Sequence, residues 1–283
     1  MPSVESLSAT EPAPTLSRRH AAGAESARGL LFTVLGEFVL PTTGSAWTAA
    51  FIEVLGRLGV EERATRQALM RTAADGWLKS HRQGRRTLWT LSAAAERLLG
   101  SGAERIYGFQ GTQPDWDGRW VVVLARAPES DRPARHLLRT RLTWAGFGSP
   151  APGVWISTHP DRATEAERVL GEVGLLDDAH VFVGPHTGGG ELTAMVGQAW
   201  DLAAISAQYG DFLAEFGGRS TGDSLTRLVQ LVHAWRRFPA MDPALPAELL
   251  PTGWSGARAA ALFRRQHARL TAEARTRWQQ LAN

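Results

Sequence analysis

The sequence predicts an α+β chain in three folded parts. Three observations carry this reading. Apolar residues recur at helical spacing three times ahead of a basic two-stranded hairpin. Strand-type and helix-type runs then alternate over about 65 residues, and the remainder is helical apart from one proline-rich loop.

Residues 1–25 are rich in Pro, Ser, Thr and Ala, lack the apolar run of a signal peptide, and read as a disordered leader. From Ala27, ARGLLFTVLGEFVL has helical spacing and Pro41 ends it. In SAWTAAFIEVLGRLGV, Ser45 suits an N-cap, Trp47, Phe51, Val54, Leu55 and Leu58 share one face, and Gly59 suits a C-cap. A third helix is expected from near Glu61 to Gly76, with Glu61 and Glu62 at the positive end of its dipole. WLKSHR and RTLWTLS, joined by Gln83-Gly84, alternate as a hairpin does. A further helix over roughly 92–107 leads into the turn-rich GFQGTQPDWDG, a domain boundary. Three helices followed by a hairpin is the order of a winged helix-turn-helix, here 26–108.

The central part, 118–188, runs strand (RWVVVLARA), helix (DRPARHLLRTRLTWAGF), strand (VWIST), helix (PDRATEAERVLGEVGL), strand (HVFVGP). That order predicts helices packed on one face of a sheet. Residues 190–283 read as a helical C-terminal domain: one long amphipathic helix from AMVGQAW to FLAEF, a second in TGDSLTRLVQLVHAWRRF, and a last from GARAAALF onward. FPAMDPALPAELLPTGW between the last two is too proline-rich for regular structure.

The formal net charge is only +3 over 283 residues, so the whole chain says little about an anionic partner. Local charge says more. Between Arg63 and Leu91 lie seven Arg or Lys and one acid, Asp75. On the third helix, Ala64, Ala68, Leu69 and Thr72 are expected to face the bundle, leaving Arg63, Thr65, Arg66, Gln67, Met70 and Arg71 outward. Arginine pairs bidentately with guanine and glutamine with adenine. The hairpin tip presents Arg82, Arg85 and Arg86 around a glycine turn, suited to a phosphate backbone, with Trp77 and Trp89 packed beneath. The candidate DNA contacts are therefore Arg63, Thr65, Arg66, Gln67, Arg71, Arg82, Arg85 and Arg86. The same charge would also suit a solvated helix face; the three-helix-plus-wing order favours nucleic acid.

The chain has no cysteine, which excludes disulfides and thiolate chemistry, and no apolar run long enough to span a bilayer. A cytoplasmic protein without membrane partners is expected. His136, His159, His180, His186, His233 and His267 show no metal-ligand spacing. Glu129 and Asp131, after the first central strand, read as ordinary loop acids. No catalytic residue, metal or cofactor is expected, and the chain reads as a non-enzyme.

At several points the sequence resembles the PaaX family, named for the repressor of phenylacetic acid degradation genes. The resemblance rests on ARGLLFTVLGEFVLP, RQALMRTAADGWL, WDGRWVVVLARAPE, LRTRLTWAGFGSPAPGVWIS and, most distinctively, LVHAWRRFPAMDPALPAELLPTGWSGARAAALF; it covers roughly 27–275. It implies a homodimeric transcriptional repressor with an N-terminal winged helix, a central ferredoxin-like (Cas2-like) domain and a C-terminal effector and dimerisation domain. It also implies operator DNA as partner and release by an acyl-CoA effector such as phenylacetyl-CoA. The long leader and Thr65, where an apolar residue is expected, depart from the family pattern. For the effector, Trp235, Phe238 and Trp254 offer aromatic surface, and Arg236 and Arg237 offer charge for phosphate or carboxylate. The alternative for this loop is that it staples the C-terminal helices together, its tryptophans being core. Two other function classes stay open: an enzyme acting on nucleic acid or thioesters with the winged helix as accessory, and a protein-interaction module.

Overall fold

The computed structural model describes residues 26–42, 44–110, 115–218 and 222–282. The expected leader, 1–25, lies outside these residues. The chain divides into two units. One takes the N-terminal residues through Gly108 with Arg219–Trp235 and Phe263–Asn283; the other takes Phe109–Gly218 with Arg236–Leu262.

In the first unit, Ser26 caps α1 (Ala27–Val34) by accepting from the Gly29 amide at 3.0 Å, and the helix continues into a π-helical turn, Leu35–Val39. Then come β1 (Ser45–Trp47), α2 (Thr48–Arg57), α3 (Glu62–Ala74), β2 (Leu78–Gln83), β3 (Arg86–Leu91) and α4 (Ala93–Gly108). The sheet order is β1-β3-β2, all antiparallel, with Ala46 opposite Trp89 and Ser80 opposite Trp89. This is the winged helix-turn-helix, with one addition to the sequence reading. Ser45 is not a helix cap; it opens β1, and the helix starts at Thr48. Pairing to β3 satisfies the Ser45–Trp47 backbone that a helical reading would leave uncapped.

Leu31, Val34, Leu35, Phe38, Phe51, Val54, Leu55 and Leu69 form a buried centre. They do not close it alone. Helix α9 (Ser224–Trp235) and the later part of α11 (Gly256–Ala282) belong to the same unit. Trp278 stacks on Phe38 at 5.5 Å and meets Phe51 edge-on at 5.8 Å. Trp235 stacks on Phe263 at 4.7 Å and donates its indole N–H to the Ile106 carbonyl at 3.0 Å. Thr33 Oγ1 and His233 Nδ1 share a hydrogen bond at 2.9 Å. Buried Glu37 accepts from the Tyr107 hydroxyl and lies 3.2 Å from His267 Nε2. Burial, and next the Glu37 charge, raise the Tyr107 hydroxyl above its ordinary range. The sequence reading groups 190–283 as one helical domain; packing divides that stretch between the two units.

The second unit contains β4 (Arg119–Leu124), α5 (Arg132–Trp144), β5 (Gly148–Ala151), β6 (Val154–Ser157), α6 (Ala163–Val173) and β7 (His180–Pro185). The antiparallel order β5-β6-β4-β7 with both helices on one face is the ferredoxin-like arrangement. Leu138, Leu142, Ala166, Val169 and Leu170 pack on Val121, Val123 and Trp155. Strand β5, Gly-Ser-Pro-Ala, is absent from the sequence reading because nothing in it favours a strand; Pro150 is tolerated because β5 is an edge.

The expected single helix after residue 190 is two, α7 (Leu192–Ala199) and α8 (Leu202–Gly217). Trp200 is extended, its ring lies so close to Gly148 that a Cβ there would come within 2.4 Å, and Asp201 restarts the helix by capping the Ala204 amide at 2.9 Å. The proline-rich segment holds one short helix, α10 (Phe238–Met241), and a single 3-10 turn, Ala247–Leu249. It is anchored on buried Asp242, which accepts from the Tyr209 hydroxyl at 2.6 Å, Gln110 Nε2 at 3.0 Å and the Ala244 amide at 2.7 Å. Burial pushes the Asp242 carboxyl up, against these three bonds.

Candidate nucleic-acid interface

Helix α3 presents Arg63, Arg66, Gln67, Met70 and Arg71 together with Glu62 on one open surface. Its inner face is Thr65, Ala68, Leu69 and Thr72. Thr65 is therefore a correction: it is wholly buried, not outward, and Ala64 is only half-buried in its place. Thr65 sits one turn before Leu69 and so shares its core face. Its hydroxyl has no hydrogen-bond partner among the described residues.

Arg66 is tied to Glu62, one turn back; the pair is well exposed, so its net contribution to stability is small. Asp75, the acid within the basic stretch, is turned onto the buried Arg28 of α1. Glu62 stays among the exposed arginines of α3. This i, i+4 pair was readable from the sequence as E-R-A-T-R.

The wing closes through Gly84-Arg85, with Gln83 opposite Arg86. Gly84 has φ +58, the positive φ that the first loop position of a type II′ turn requires. Arg82 donates from Nε to the Gly84 carbonyl at 3.2 Å, and Arg82 and Arg85 are exposed at the tip. The Arg86 guanidinium instead lies over the Trp47 ring, 4.1 Å from its centroid. Trp77 and Trp89 are buried beneath the wing as expected, and Trp89 donates to Thr48 Oγ1 at 2.8 Å. Neither Glu62 nor Trp47 figures among the candidate contacts from sequence.

The five candidate effector residues fall in both units. Trp235 is core of the first unit, on Phe263. In the second unit Phe238 is fully buried, stacked on Tyr209 at 4.2 Å, and Trp254 meets Tyr209 edge-on at 5.7 Å. Arg237 neighbours Arg236, whose Nε is buried without a hydrogen-bond partner among the described residues; desolvation and then repulsion by Arg237 lower its guanidinium pKa. A cleft of about 630 Å³ in the second unit is lined by Val196, Trp200, Leu202, Leu249, Leu250 and Pro251 among others, and by none of the five.

Among the described residues no group of three or more His, Asp or Glu side chains could hold a metal, and no helix is long and apolar enough to cross a membrane. Glu129 pairs with Arg126 at 3.3 Å on the surface, and Asp131 caps α5.

Three family profiles match: "PaaX-like protein" over 26–95, "PaaX protein central Cas2-like domain" over 113–196 and "PaaX-like protein C-terminal domain" over 200–280. The transcriptional repressor PaaX of Escherichia coli (strain K12) is 30% identical over 254 residues, 84% of this chain and 79% of that one. The solved structure of the uncharacterized protein Rv0674 from Mycobacterium tuberculosis has the same fold, with a TM-score of 0.63 at 23% identity, covering 91% of this chain and 100% of that one. The chain belongs to the PaaX family.

Proposed function

We propose that this protein is a sequence-specific DNA-binding transcriptional repressor. The observation that carries the reading is the exposed Arg63, Arg66, Gln67 and Arg71 face of α3, set beside a wing tipped by Arg82 and Arg85. The E. coli relative's role as a transcriptional repressor supports it. In this reading α3 enters the major groove. Arg66 leaves or shares Glu62 to pair with a guanine, Gln67 meets an adenine, and Arg63 and Arg71 hold the flanking phosphates. Arg82 and Arg85 contact backbone from the wing, and Arg86 stiffens it through Trp47. A homodimer would set two such helices on a pseudo-palindromic operator.

The effector is an anionic acyl-CoA, such as phenylacetyl-CoA, and the controlled genes belong to aromatic-acid catabolism. Support for an anion comes from Arg236, whose Nε is buried without a hydrogen-bond partner among the described residues. The ligand acts by preferring a dimer geometry that fits the operator poorly. The test is footprinting of the full chain on DNA upstream of its own gene, with and without phenylacetyl-CoA. A protected site that the ligand releases supports the whole reading. Protection without release removes the effector, and no protected site removes the repressor.

A further inference from the structure

Helix α5 of the ferredoxin-like domain has a second basic face that the winged helix does not account for. Arg132, Arg135, His136 and Arg139 recur at the i, i+3, i+4, i+7 spacing of one side of the helix, and all four are exposed. Arg132, Arg135 and Arg139 have no ion pair among the described residues. The acids nearby are engaged elsewhere. Glu172 of the adjoining α6 pairs with Arg141 and Arg168, Glu165 with Arg168, Glu129 with Arg126, and Asp131 caps the Ala134 amide. Within α5 itself there is no Asp or Glu.

Apart from the Asp131 cap at its N-terminus, this arrangement works against the helix. Arg132 and Arg135 sit at the positive end of the dipole, and the Arg132–Arg135 and Arg135–Arg139 pairs are like-charged neighbours. A merely solvated face has no need of that placement; a polyanion does. The three guanidiniums extend over about 10 Å of helix axis, the scale on which one DNA strand presents about three phosphates. Apart from the His136 imidazole, the face carries no aromatic or large apolar side chain. A protein partner would be expected to find a buried anchor here, and a bilayer an apolar rim.

We infer that α5 is a second, sequence-independent DNA-contacting surface that binds phosphates. This rests on the DNA-binding reading above. The test compares the unmodified full chain with the Arg132→Gln, Arg135→Gln, Arg139→Gln triple variant. Each binds a duplex from upstream of its gene and a scrambled duplex across 50–200 mM salt. Glutamine keeps helix propensity close to that of arginine; a circular-dichroism melt and the single Arg135→Gln variant guard against misfolding.

The expected result is a log K against log salt slope shallower by about 2 to 3 in the triple variant and by about 1 in the single one, equally on both duplexes. The preference for the upstream duplex stays unchanged. Unaltered slopes, with the unmodified chain still binding, would overturn the role of α5 and leave the repressor reading standing. Unaltered slopes together with α5-dependent binding to phosphatidylserine vesicles would assign the face to a membrane instead. No DNA binding by the unmodified chain would overturn both proposals.

Discussion

The Arg66 guanidinium donates twice to one carboxylate oxygen of Glu62, one helical turn back, at 2.8 Å from Nε and 2.7 Å from Nη2. An acid thus holds the central base-reading candidate of α3 in a defined orientation. It also places a negative charge where a phosphate backbone would approach.

Replacing that acid separates its two effects. In Glu62→Gln, Arg66 is freed to meet phosphates. Affinity for unrelated duplex is expected to rise several-fold, and the salt slope to steepen by up to about 1. Folding stability should change by less than about 0.5 kcal/mol, since the pair is exposed. Salt-titrated fluorescence anisotropy reads the first two, and urea unfolding the third.

Thr65 makes the opposite kind of prediction. Its buried hydroxyl has no hydrogen-bond partner among the described residues, so Thr65→Val exchanges an unsatisfied polar atom for a methyl group of the same shape. Stability should rise by about 1 kcal/mol in urea unfolding, with DNA affinity unchanged. A loss of affinity would return Thr65 to the DNA-facing side.

Trp278, near the end of the chain, tests how the winged helix is completed. Trp278→Ala removes the ring packed on Phe38 and Phe51. It should cost about 3–5 kcal/mol and lower DNA binding through the folded fraction. A chain ending at Gly108 should likewise lack a cooperative melt, because α9 and α11 no longer cover this core.

His159 supplies a pH dependence. Its ring nitrogen lies 3.0 Å from the Ala244 carbonyl, and desolvation, then Arg162, hold its pKa below the ordinary value. A histidine depressed in the folded state leaves stability intact above the unfolded pKa of about 6.5. As pH falls through that value, the unfolded chain takes a proton that the folded one resists, and stability is lost. Urea midpoints measured from pH 7.5 to 5 should fall less steeply in His159→Gln than in the unmodified chain.

The elements with strong local signals were legible. Apolar spacing gave α1 to α3, Gly84 gave the wing, and the valine run gave β4. Strands β1 and β5 were not, because their pairing partners, not their residues, make them strands. Ala68, Leu69 and Thr72 face the core as their spacing predicts; at the flank of that face, Ala64 or Thr65 could turn inward, and apolarity favours the alanine while the fold buries the threonine. The C-terminal stretch hid more. Trp235 and Phe238 are three residues apart in one motif, yet each is core, and of different units. Spacing within a motif says nothing of which distant ring each will stack on. Asp242 and Phe238 tie that loop to Tyr209 of α8.

The most direct test of base recognition by α3 is the affinity of Arg66→Ala for the upstream duplex relative to a scrambled one. The account predicts a loss of about 1–3 kcal/mol on the upstream duplex, roughly 5- to 150-fold, and a much smaller loss on the scrambled one. Equal losses on both duplexes, or none on either, would contradict it.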